Sequence, residues 1–502
     1  MLEQIEQYKI KKEDAAEELE NLKKEITMLE NTLKASKIPA IISFDGWSAA
    51  GKGSLIAKLI KNLDPRFFHV ESIGAPSVSE IRKPWLWRYW VKIPPKGEFL
   101  ILDRSWYRDT VNAYMYGEIN KDEMKMRLDD INTFERQLAD DGYLIIKFFV
   151  HIGENEQKER IKKLNESDIT KWRIDKHDLK NLNEYEKFYK LYNKMLEKTN
   201  TKSASWHIIP ANEKTTAELF MLKTVTSSIK NAVVSKENGK RFYEKPQFPI
   251  AEYIPEKFEL LSAKKLNEID MNKSISDEEY DKKLEKYQNR LFELQNLCYQ
   301  KKIPVIICYE GWDAAGKGGN IKRVAAALDP RGYEVKPIAA PEQYELARHY
   351  LYRFWTRLEN DGHFTIFDRT WYGRVMVESI EKLAPENRVE MAYNEINEFE
   401  KMLTDWGAVV IKFWINITND EQLKRFKLRQ ETREKQWKIT DEDWRNREKW
   451  DDYEKAVNKM LSLTSTEKCP WTVIEGNDKK YARIKALKTI VKRVSKKLED
   501  ID

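Results

Sequence analysis

Short apolar segments alternate with long charged segments in the second half of the chain. Runs rich in Val, Ile and Phe, bounded by turn residues, occupy 303–309, 333–341, 364–368, 409–417 and 471–476. Such runs are typical of buried parallel strands. The charged stretches between them, such as 386–405 and 419–461, have helical periodicity. This alternation predicts an α/β fold in which a doubly wound parallel sheet has helices on both faces.

The same pattern occurs twice, at a constant separation of 265 positions. GWSAAGKGS at 46–54 aligns with GWDAAGKGG at 311–319, and ILDRSWY at 101–107 aligns with IFDRTWY at 366–372. The separation holds without a gap for about 160 positions. We infer a tandem duplication of one domain, far longer than the repeat of a solenoid protein.

The duplication predicts an N-terminal domain at 1–234, a linker at 235–265 and a C-terminal domain at 266–502. The linker contains three prolines and lacks helical periodicity. A Glu/Lys/Leu-rich helical stretch precedes the first strand of each copy, at 1–36 and at 276–300. We expect each stretch to pack as a solvated helix. Pairing of these helices with each other, or within a homo-oligomer, is the alternative.

The composition is that of a soluble globular protein, with 41% hydrophobic and 34% charged residues among 502. The net charge of +6 is nearly balanced, which argues against a nucleic-acid partner. Three cysteines without paired spacing indicate a reducing compartment. The N-terminal sequence lacks a signal-peptide core, and no apolar run is long enough to cross a bilayer. We expect a cytoplasmic protein with no membrane partner.

The segment GWDAAGKGG follows a predicted strand and precedes a predicted helix. Glycines let backbone N–H groups converge on an anion, and the helix N-terminus adds its dipole. Lys317 adds a full positive charge. The segment therefore predicts a phosphate-binding P-loop rather than a turn used only for packing. Its other expected phosphate-binding residues are Gly311, Ala314, Ala315, Gly316, Gly318 and Gly319.

Two carboxylates are candidates for a metal site. Gly318 follows Lys317, so the Ser or Thr hydroxyl that usually contacts Mg²⁺ in a P-loop is absent. Asp313 in the loop and Asp368 at a strand end can supply oxygens instead, because Mg²⁺ needs only one or two carboxylates beside phosphate and water. The alternatives are a local turn role for Asp313 and a helix-capping role for Asp368.

Two arginines follow Asp368 in the segment RTWYGRVMVES. Arg369 and Arg374 would place guanidinium groups beside the phosphates, where arginine offsets charge on a transferred phosphoryl group. Arg374 and Glu378 are four positions apart on a predicted helix. A surface ion pair between these two is therefore an equally good interpretation.

A dense basic segment lies between the fourth and fifth strands, at 423–438 and 443–450. A charged run of this kind is commonly a solvated helical face. Its position on the P-loop side predicts a phosphate-binding lid. It carries more cations than one triphosphate needs, which indicates a longer anion. The expected phosphate-binding residues in it are Lys424, Arg425, Arg429, Arg433, Lys438 and Arg447.

Together, GWDAAGKGG, FDRTWYGR, RFKLRQETREKQWK and CPWTVIEGNDKKYAR resemble the polyphosphate kinase 2 family, over nearly the whole chain. The duplicated arrangement is similar to the two-domain polyphosphate:AMP phosphotransferases. The resemblance implies transfer of the terminal phosphate of inorganic polyphosphate to AMP, giving ADP, with Mg²⁺ as cofactor and Mn²⁺ as the alternative metal. It also implies that Asp313 and Asp368 are the metal ligands and that the catalytic residues are Asp313, Lys317, Asp368, Arg369, Arg374 and Glu378.

The first copy departs from this pattern at charged positions. At the positions corresponding to Asp313, Arg374, Glu378 and the lid cations, it has Ser48, Asp109, Ala113, Leu164, Asp168, Leu182 and Glu184. Reversing a charge at a desolvated anion site is unfavourable. Lys52, Asp103 and Arg104 are retained, so a weak anion site could persist. We expect a degenerate domain kept as scaffold, and independent function is the alternative.

Three other functions stay open on the residues alone. Transfer to ADP, making ATP, is the nearest, because nothing in the sequence separates the two acceptors physically. An ATP-dependent P-loop kinase is disfavoured by Gly318 and by the number of lid cations. A non-catalytic phosphate-binding protein would be expected to lose the metal-site carboxylates in both copies, and only one copy has lost them.

Overall fold

The chain forms two compact units in a computed structural model that describes residues 1–243 and 246–501, apart from the side chains of Arg173, Lys435, Trp437 and Lys438. The first unit contains Met1–Ala75, Lys92–Pro255 and Leu346–His349. The second contains Pro76–Val91, Glu256–Glu345 and the chain from Tyr350 onward. The two units thus follow the two copies of the repeat, except that each includes one short segment from the other copy.

The first copy contains five strands and ten α-helices among its described residues. The strands are β1 Ala40–Gly46, β2 Phe68–Ser72, β3 Phe99–Asp103, β4 Leu144–His151 and β5 Trp206–Pro210. The helices are α1 Lys12–Ala35, α2 Lys52–Ile60, α3 Val78–Ile81, α4 Trp87–Trp90, α5 Trp106–Met115, α6 Lys121–Asp140, α7 Glu154–Asn165, α8 Lys176–Asn183, α9 Tyr185–Thr199 and α10 Lys214–Glu237.

The second copy repeats this order. Its strands are β6 Val305–Gly311, β7 Tyr333–Pro337, β8 Phe364–Asp368, β9 Val409–Asn416 and β10 Trp471–Glu475. Its helices are α11 Asp277–Lys301, α12 Lys317–Ala325, α13 Gln343–Leu346, α14 Tyr352–Trp355, α15 Val377–Ile380, α16 Glu386–Asp405, α17 Asn419–Glu431, α18 Asp441–Glu448, α19 Trp450–Thr464 and α20 Lys479–Glu499. Short 3-10 helices include Trp371–Val375 and Arg433–Lys438.

Both sheets are parallel and have the same strand order. The order is β2-β3-β1-β4-β5 in the first copy and β7-β8-β6-β9-β10 in the second. The prediction of a duplicated α/β fold, with parallel sheets flanked by helices, is confirmed. Successive strands lie first on one side of the central strand β1 or β6 and then on the other, and open α/β sheets bind ligands at such a point, beyond the carboxyl ends of the strands.

Burial explains why the apolar runs form the inner strands. All eight residues of β9 are buried, and both α16 and α20 contact this strand. The charged N-terminal stretches form α1 and α11, which pack along α10 and α20 respectively. Among the described helices, none combines the length and the apolar character that a bilayer-spanning segment requires.

The basic region 419–461 is divided more finely than its periodicity predicts. It contains α17, a 3-10 helix, α18 and most of α19. Thr432 has an extended backbone conformation that ends α17. Thr440 caps α18 by accepting a hydrogen bond from the backbone N–H of Asp443. Local capping thus interrupts a continuous charge pattern. By contrast, the predicted helix at 386–405 matches α16.

Candidate active site

The loop after β6 has the geometry of a P-loop. Gly311 has φ 150°, and a Cβ there would lie 2.5 Å from the backbone oxygen of Ile415, so only glycine fits. Gly316, with φ 110°, precedes the first residue of α12, Lys317. The Nζ atom of Lys317 donates to the carbonyls of Gly311 at 2.7 Å and Trp312 at 3.2 Å. The lysine charge and the helix dipole therefore converge on the loop.

Arg425, which the sequence predicts to bind phosphate, braces this loop instead. Its Nη1 atom donates to the backbone oxygens of Ala314 at 3.1 Å and Ala315 at 2.9 Å. Its Nε atom lies 2.6 Å from a carboxylate oxygen of Glu421, and the side chain is only 5% exposed. Arg160 makes the corresponding bond, at 2.9 Å, to the first-copy loop. The buried guanidinium fixes the loop shape in both copies.

Asp313 and Asp368 are the carboxylates of the site. Asp313 Oδ2 accepts a hydrogen bond from Asn446 Nδ2 at 3.0 Å, and its Oδ1 lies 3.7 Å from Arg369 Nη2. Asp368 ends β8, beside the central strand β6. Burial acts to lower the pKa of Arg369, but the carboxylates of Asp313, Glu310 and Asp368 outweigh it and raise that pKa overall. The guanidinium of Arg369 therefore lies among three carboxylates at this site.

These two carboxylates suit a divalent cation that shares its ligands with phosphate. Within the described residues, no three His, Cys, Asp or Glu side chains form a metal-binding group. Mg²⁺ commonly takes one or two carboxylates and completes its shell with phosphate oxygens and water, so Asp313 and Asp368 fit it. The capping role considered for Asp368 belongs to Thr370, whose hydroxyl accepts from the backbone N–H of Tyr372 at 3.3 Å.

A buried acid that sequence analysis missed shapes the turn at Arg369. Arg369 has φ 66°, a conformation that non-glycine residues rarely adopt outside functional sites. Glu310 accepts hydrogen bonds from Thr370, both from its backbone N–H and from its hydroxyl, each at 2.7 Å. Burial raises the pKa of Glu310. The acid directly before Gly311, at the end of an apolar run, was the available signal.

Arg374 forms the predicted pair with Glu378, but the arginine is not a surface residue. Its Nη1 atom lies 2.8 Å from Glu378 Oε2, and its side chain is 16% exposed. The guanidinium carbon lies 4.4 Å from the ring centroid of Tyr350. Its buried Nε has no hydrogen-bond partner among the described residues. A buried donor without a partner is suited to an anionic ligand.

The lid helices contact the loop through amide groups. Gln422 of α17 donates to the backbone oxygen of Asp313 at 3.1 Å. Arg447 of α18, predicted to bind phosphate, donates to the backbone oxygen of Asn419 at 2.8 Å and to Gln422 Oε1 at 3.1 Å. Arg447 therefore joins α18 to α17 in this structure.

The remaining predicted lid cations differ in exposure. Lys424 and Arg433 are exposed, and Arg429 is half-buried. The side chain of Lys438, also predicted to bind phosphate, lies outside the described residues. The structure thus presents lysine and arginine side chains on a basic surface of α17 and of the 3-10 helix that follows it.

The first copy keeps the loop but not its acidic residue. Lys52 Nζ donates to the carbonyls of Trp47 at 2.7 Å and Gly46 at 3.3 Å, as Lys317 does in the second copy. Ser48 takes the place of Asp313, and its backbone N–H donates to Asn181 Oδ1 at 3.3 Å. Asn181 corresponds to Asn446, so the same lid residue contacts the loop in both copies, with a carboxylate present in only one.

Comparison with known proteins finds matches to both copies of the repeat. The family described as Polyphosphate kinase 2 (PPK2) matches residues 9–237 and 274–501, one match for each copy. A polyphosphate:AMP phosphotransferase of Pseudomonas aeruginosa is 37% identical over 455 residues, which is 91% of this chain and 90% of the other. A protein of the same name from Acinetobacter johnsonii is 34% identical over 90% of both chains.

A solved structure extends the similarity to three dimensions. The crystal structure of a Pseudomonas aeruginosa protein assigned to polyphosphate kinase 2 covers 99% of this chain, with 98% of its own length aligned. The TM-score is 0.85 and the sequence identity is 33%. Each half of the chain therefore matches the family in sequence, and a solved structure matches nearly the whole chain. The chain belongs to the polyphosphate kinase 2 family.

Proposed function

We propose that the second unit transfers the terminal phosphate of inorganic polyphosphate to AMP and releases ADP. The observation that carries the proposal is similarity, over nine-tenths of the chain, to three proteins named polyphosphate:AMP phosphotransferase. The P-loop, the two carboxylates and the basic lid described above are the parts that such a transfer requires.

The reaction requires positioning more than acid–base chemistry. An oxygen of the AMP phosphate forms a bond to the terminal phosphorus of the chain. The P–O bond to the preceding phosphate breaks, and its electron pair leaves with the shortened chain. The attacking oxygen is already ionised, so no strong general base is needed, and alignment with charge neutralisation supplies most of the rate enhancement.

Each residue of the site has a proposed role in this transfer. Enzymes of this family generally depend on a divalent metal, and we assign Asp313 and Asp368 as ligands of Mg²⁺, with Mn²⁺ as the alternative. When bound, the ion offsets negative charge on the phosphates. Lys317 and Arg369 neutralise the transferred group from the loop side. Arg374, oriented by its pair with Glu378, also neutralises the transferred group, through its Nε. The exposed lid cations bind the rest of the polyphosphate.

We assign the first unit a supporting rather than a transferring role. Ser48 is a weaker replacement for Asp313, because a neutral hydroxyl does not offset the charge of a metal ion as a carboxylate does. Asp109 stands in the position of Arg374, which reverses the charge there. Without these groups, a terminal phosphate and a metal ion could not be held together for transfer.

A reducing, cytoplasmic setting is part of the proposal. Cys298, Cys308 and Cys469 are all unbridged and buried. Burial raises the pKa of the Cys298 and Cys469 thiols to about 12, which keeps them protonated and unreactive. Buried unpaired thiols are typical of proteins that function where thiols stay reduced.

Transfer to ADP is the second candidate, and a specific similarity favours it. An ADP-polyphosphate phosphotransferase of Pseudomonas aeruginosa is 36% identical over 44% of this chain. Part of this chain is therefore also similar to a protein named for ADP. Similarity over the whole chain favours AMP for this protein.

Product analysis with the full-length chain distinguishes these reactions. Polyphosphate or ATP is supplied as donor and AMP or ADP as acceptor, each with Mg²⁺ and with EDTA. We expect ADP from polyphosphate and AMP, dependence on the divalent ion, and at least tenfold slower ATP formation from ADP. Equal or faster reaction with ATP as the donor would contradict the polyphosphate assignment. If ATP formed from ADP faster than ADP formed from AMP, ADP would be the preferred acceptor.

A further inference from the structure

The first unit has a cationic pocket at the carboxyl ends of β1 and β3. Its lining includes the cations Lys52, Arg104 and Arg108, the acid Asp45, and the aromatic residues Tyr107 and Tyr192. It contains about 230 Å³ of empty space, part of which is open to solvent. The opening lets a phosphoryl group approach the three cations from solvent.

The three cations of this pocket outnumber the one carboxylate among its lining residues, Asp45. Neither Arg104 nor Arg108 forms an ion pair with a carboxylate in the part of the chain that the structure describes. Among the described residues, the Arg108 guanidinium makes one hydrogen bond, a long one of 3.5 Å to the backbone oxygen of Ile73. Three cations thus surround a space into which the N-terminus of α2 also points its dipole.

The nearby acid Asp45 has another task. Asp45 Oδ2 accepts a hydrogen bond from the Ser105 hydroxyl at 2.6 Å, and Oδ1 accepts from the Ser105 backbone N–H at 3.2 Å. Burial raises the pKa of this carboxyl to about 6. Burial first, and then the positive charge of Arg104 and Arg108, lowers the pKa of Lys52 to about 8, although Asp103 and Asp45 oppose this shift. The cations repel one another, and an anion would relieve that repulsion.

Arg108 changes the interpretation of the first copy. Sequence alignment sets Asp109 against Arg374 and suggests that the arginine has been lost. In the structure, the preceding residue, Arg108, lines the pocket, whereas its counterpart in the second copy is Gly373. A guanidinium is therefore supplied from the adjacent position on α5. The first unit has lost the carboxylate of Asp313 but keeps a guanidinium, shifted by one position.

We infer that the first unit binds a phosphoryl oxyanion in this pocket without a divalent metal, held by Lys52, Arg104 and Arg108. Inorganic phosphate, the end of a polyphosphate chain and a nucleotide phosphate share this chemistry. Three protein cations offset the charge of such a group, so no metal ion is required. The site binds but does not transfer, which separates it from the function proposed for the second unit.

Hydrogen exchange measured by mass spectrometry tests this site, because it resolves the loop at 46–55 from the loop at 311–320. The full-length protein is examined in EDTA and, separately, in Mg²⁺, each with no anion, inorganic phosphate, medium-chain polyphosphate or AMP. We expect slower exchange at 46–55 with at least one anion. Protection by all three would indicate any terminal phosphate, and protection by one would identify its source. Absence of protection by all three would overturn the inference.

Substitutions assign the protection to the pocket. In Arg108→Gln and, separately, in Arg104→Gln, we expect the anion concentration for half-maximal protection at 46–55 to rise at least tenfold, with a smaller rise in Arg108→Lys. Arg374→Gln is the matched control in the second unit and should leave that concentration unchanged. Unchanged exchange of β4 in the absence of anion shows that a variant is folded. Unaltered protection in both glutamine variants, or protection that appears only with Mg²⁺, would overturn the inference.

Because the measurement does not use ADP formation, it is independent of the activity proposed for the second unit. Failure of the anion site would leave the transfer reaction intact as a proposal. Failure of the transfer assay would leave the protection at 46–55 to be judged separately.

Discussion

Asp313 is oriented by a lid residue. Asn446 donates to its carboxylate at 3.0 Å, and the hydroxyl of Tyr453 donates to Asn446 Oδ1 at 3.3 Å. Residues that orient a metal ligand affect metal affinity nearly as strongly as the ligand, because a rotated carboxylate presents its oxygens in the wrong place. The amide of Asn446 therefore connects α18 to the carboxylate that we propose as a metal ligand.

Replacement of this amide should reduce activity without abolishing it. In Asn446→Ala we expect ADP formation to fall about tenfold and the Mg²⁺ concentration for half-maximal rate to rise by a similar factor. Asn181→Ala is the matched change in the first copy, where the amide contacts the Ser48 backbone. That variant should stay within about twofold of wild type, and an equal loss in both would contradict the positioning role.

The site residues that sequence could predict are those in contiguous motifs. Asp313, Lys317 and Arg369 belong to segments with a recognisable order of residue types, and the structure brings all three to one loop. Asn446 and Glu310 could not be found this way, because their roles depend on which residues lie opposite them in space. Arg425 lies beside the P-loop and belongs to a basic segment, but its guanidinium donates to backbone carbonyls of the loop. The basic pattern alone could not reveal those partners.

At the scale of elements, the two copies use different residues at the end of the fourth strand to accept a hydrogen bond from the tryptophan that follows the first strand. In the first unit the Trp47 indole donates to His151 Nδ1 at 3.0 Å, and in the second the Trp312 indole donates to Asn416 Oδ1 at 2.8 Å. An indole can only donate, so His151 Nδ1 must be unprotonated. Burial lowers the pKa of His151 to about 4.

This difference predicts acid sensitivity in the first unit. Between pH 6.5 and 4 the unfolded chain takes up a proton at His151 and the folded chain does not, so stability falls as pH decreases. At pH 5 the loss in the free energy of unfolding is about 2 kcal/mol relative to pH 8. His151→Asn should remove that loss in chemical unfolding measured at both pH values, and Asn416→His should introduce it in the second unit. An unchanged pH dependence in both variants would refute this assignment.

A second element-scale prediction concerns the buried lysine of β9. Lys412 Nζ contacts Glu400 of α16 at 2.8 Å and the backbone oxygen of Thr464 of α19 at 2.6 Å, with no exposed side-chain area on the lysine. Glu400→Gln leaves a buried charge without its counterion, which costs about 3–5 kcal/mol in the free energy of unfolding. The double variant Glu400→Gln/Lys412→Met should be less destabilised than the single one. Urea unfolding measures both, and a double variant that is less stable than Glu400→Gln would contradict the argument.

The sequence predicts the type of each major element but not its interruptions. The five strands of the second copy and α16 follow from apolar runs and helical periodicity, because burial imposes those patterns. The division of 419–461 depends on single caps at Thr432 and Thr440, which a charge pattern does not reveal. The lysine within β9 resembles a polar break in an apolar run, and only its buried partners explain it.

At the scale of the whole molecule, the constant separation of the two copies predicts the duplication. It does not predict that Pro76–Val91 groups with the second unit and Leu346–His349 with the first. The first segment is rich in tryptophan, but an aromatic cluster alone does not indicate which unit it packs with. The proposed boundary at 235–265 stays a prediction for the linker itself.

The central claim is that only the second of two homologous sites transfers phosphate. Its most direct test is the rate of ADP formation from polyphosphate, AMP and Mg²⁺ in matched variants of the full-length chain. We predict that Asp313→Ala and Asp368→Asn lower kcat at least about 100-fold, because each removes charge stabilisation at the transferred phosphate. In the first copy, Ser48→Asp adds the missing carboxylate and Asp103→Asn matches Asp368→Asn. The kcat of each of these two variants should stay within about twofold of wild type. Comparable losses in both sets of variants, or activity that survives Asp313→Ala and is lost in Asp103→Asn, would contradict the account.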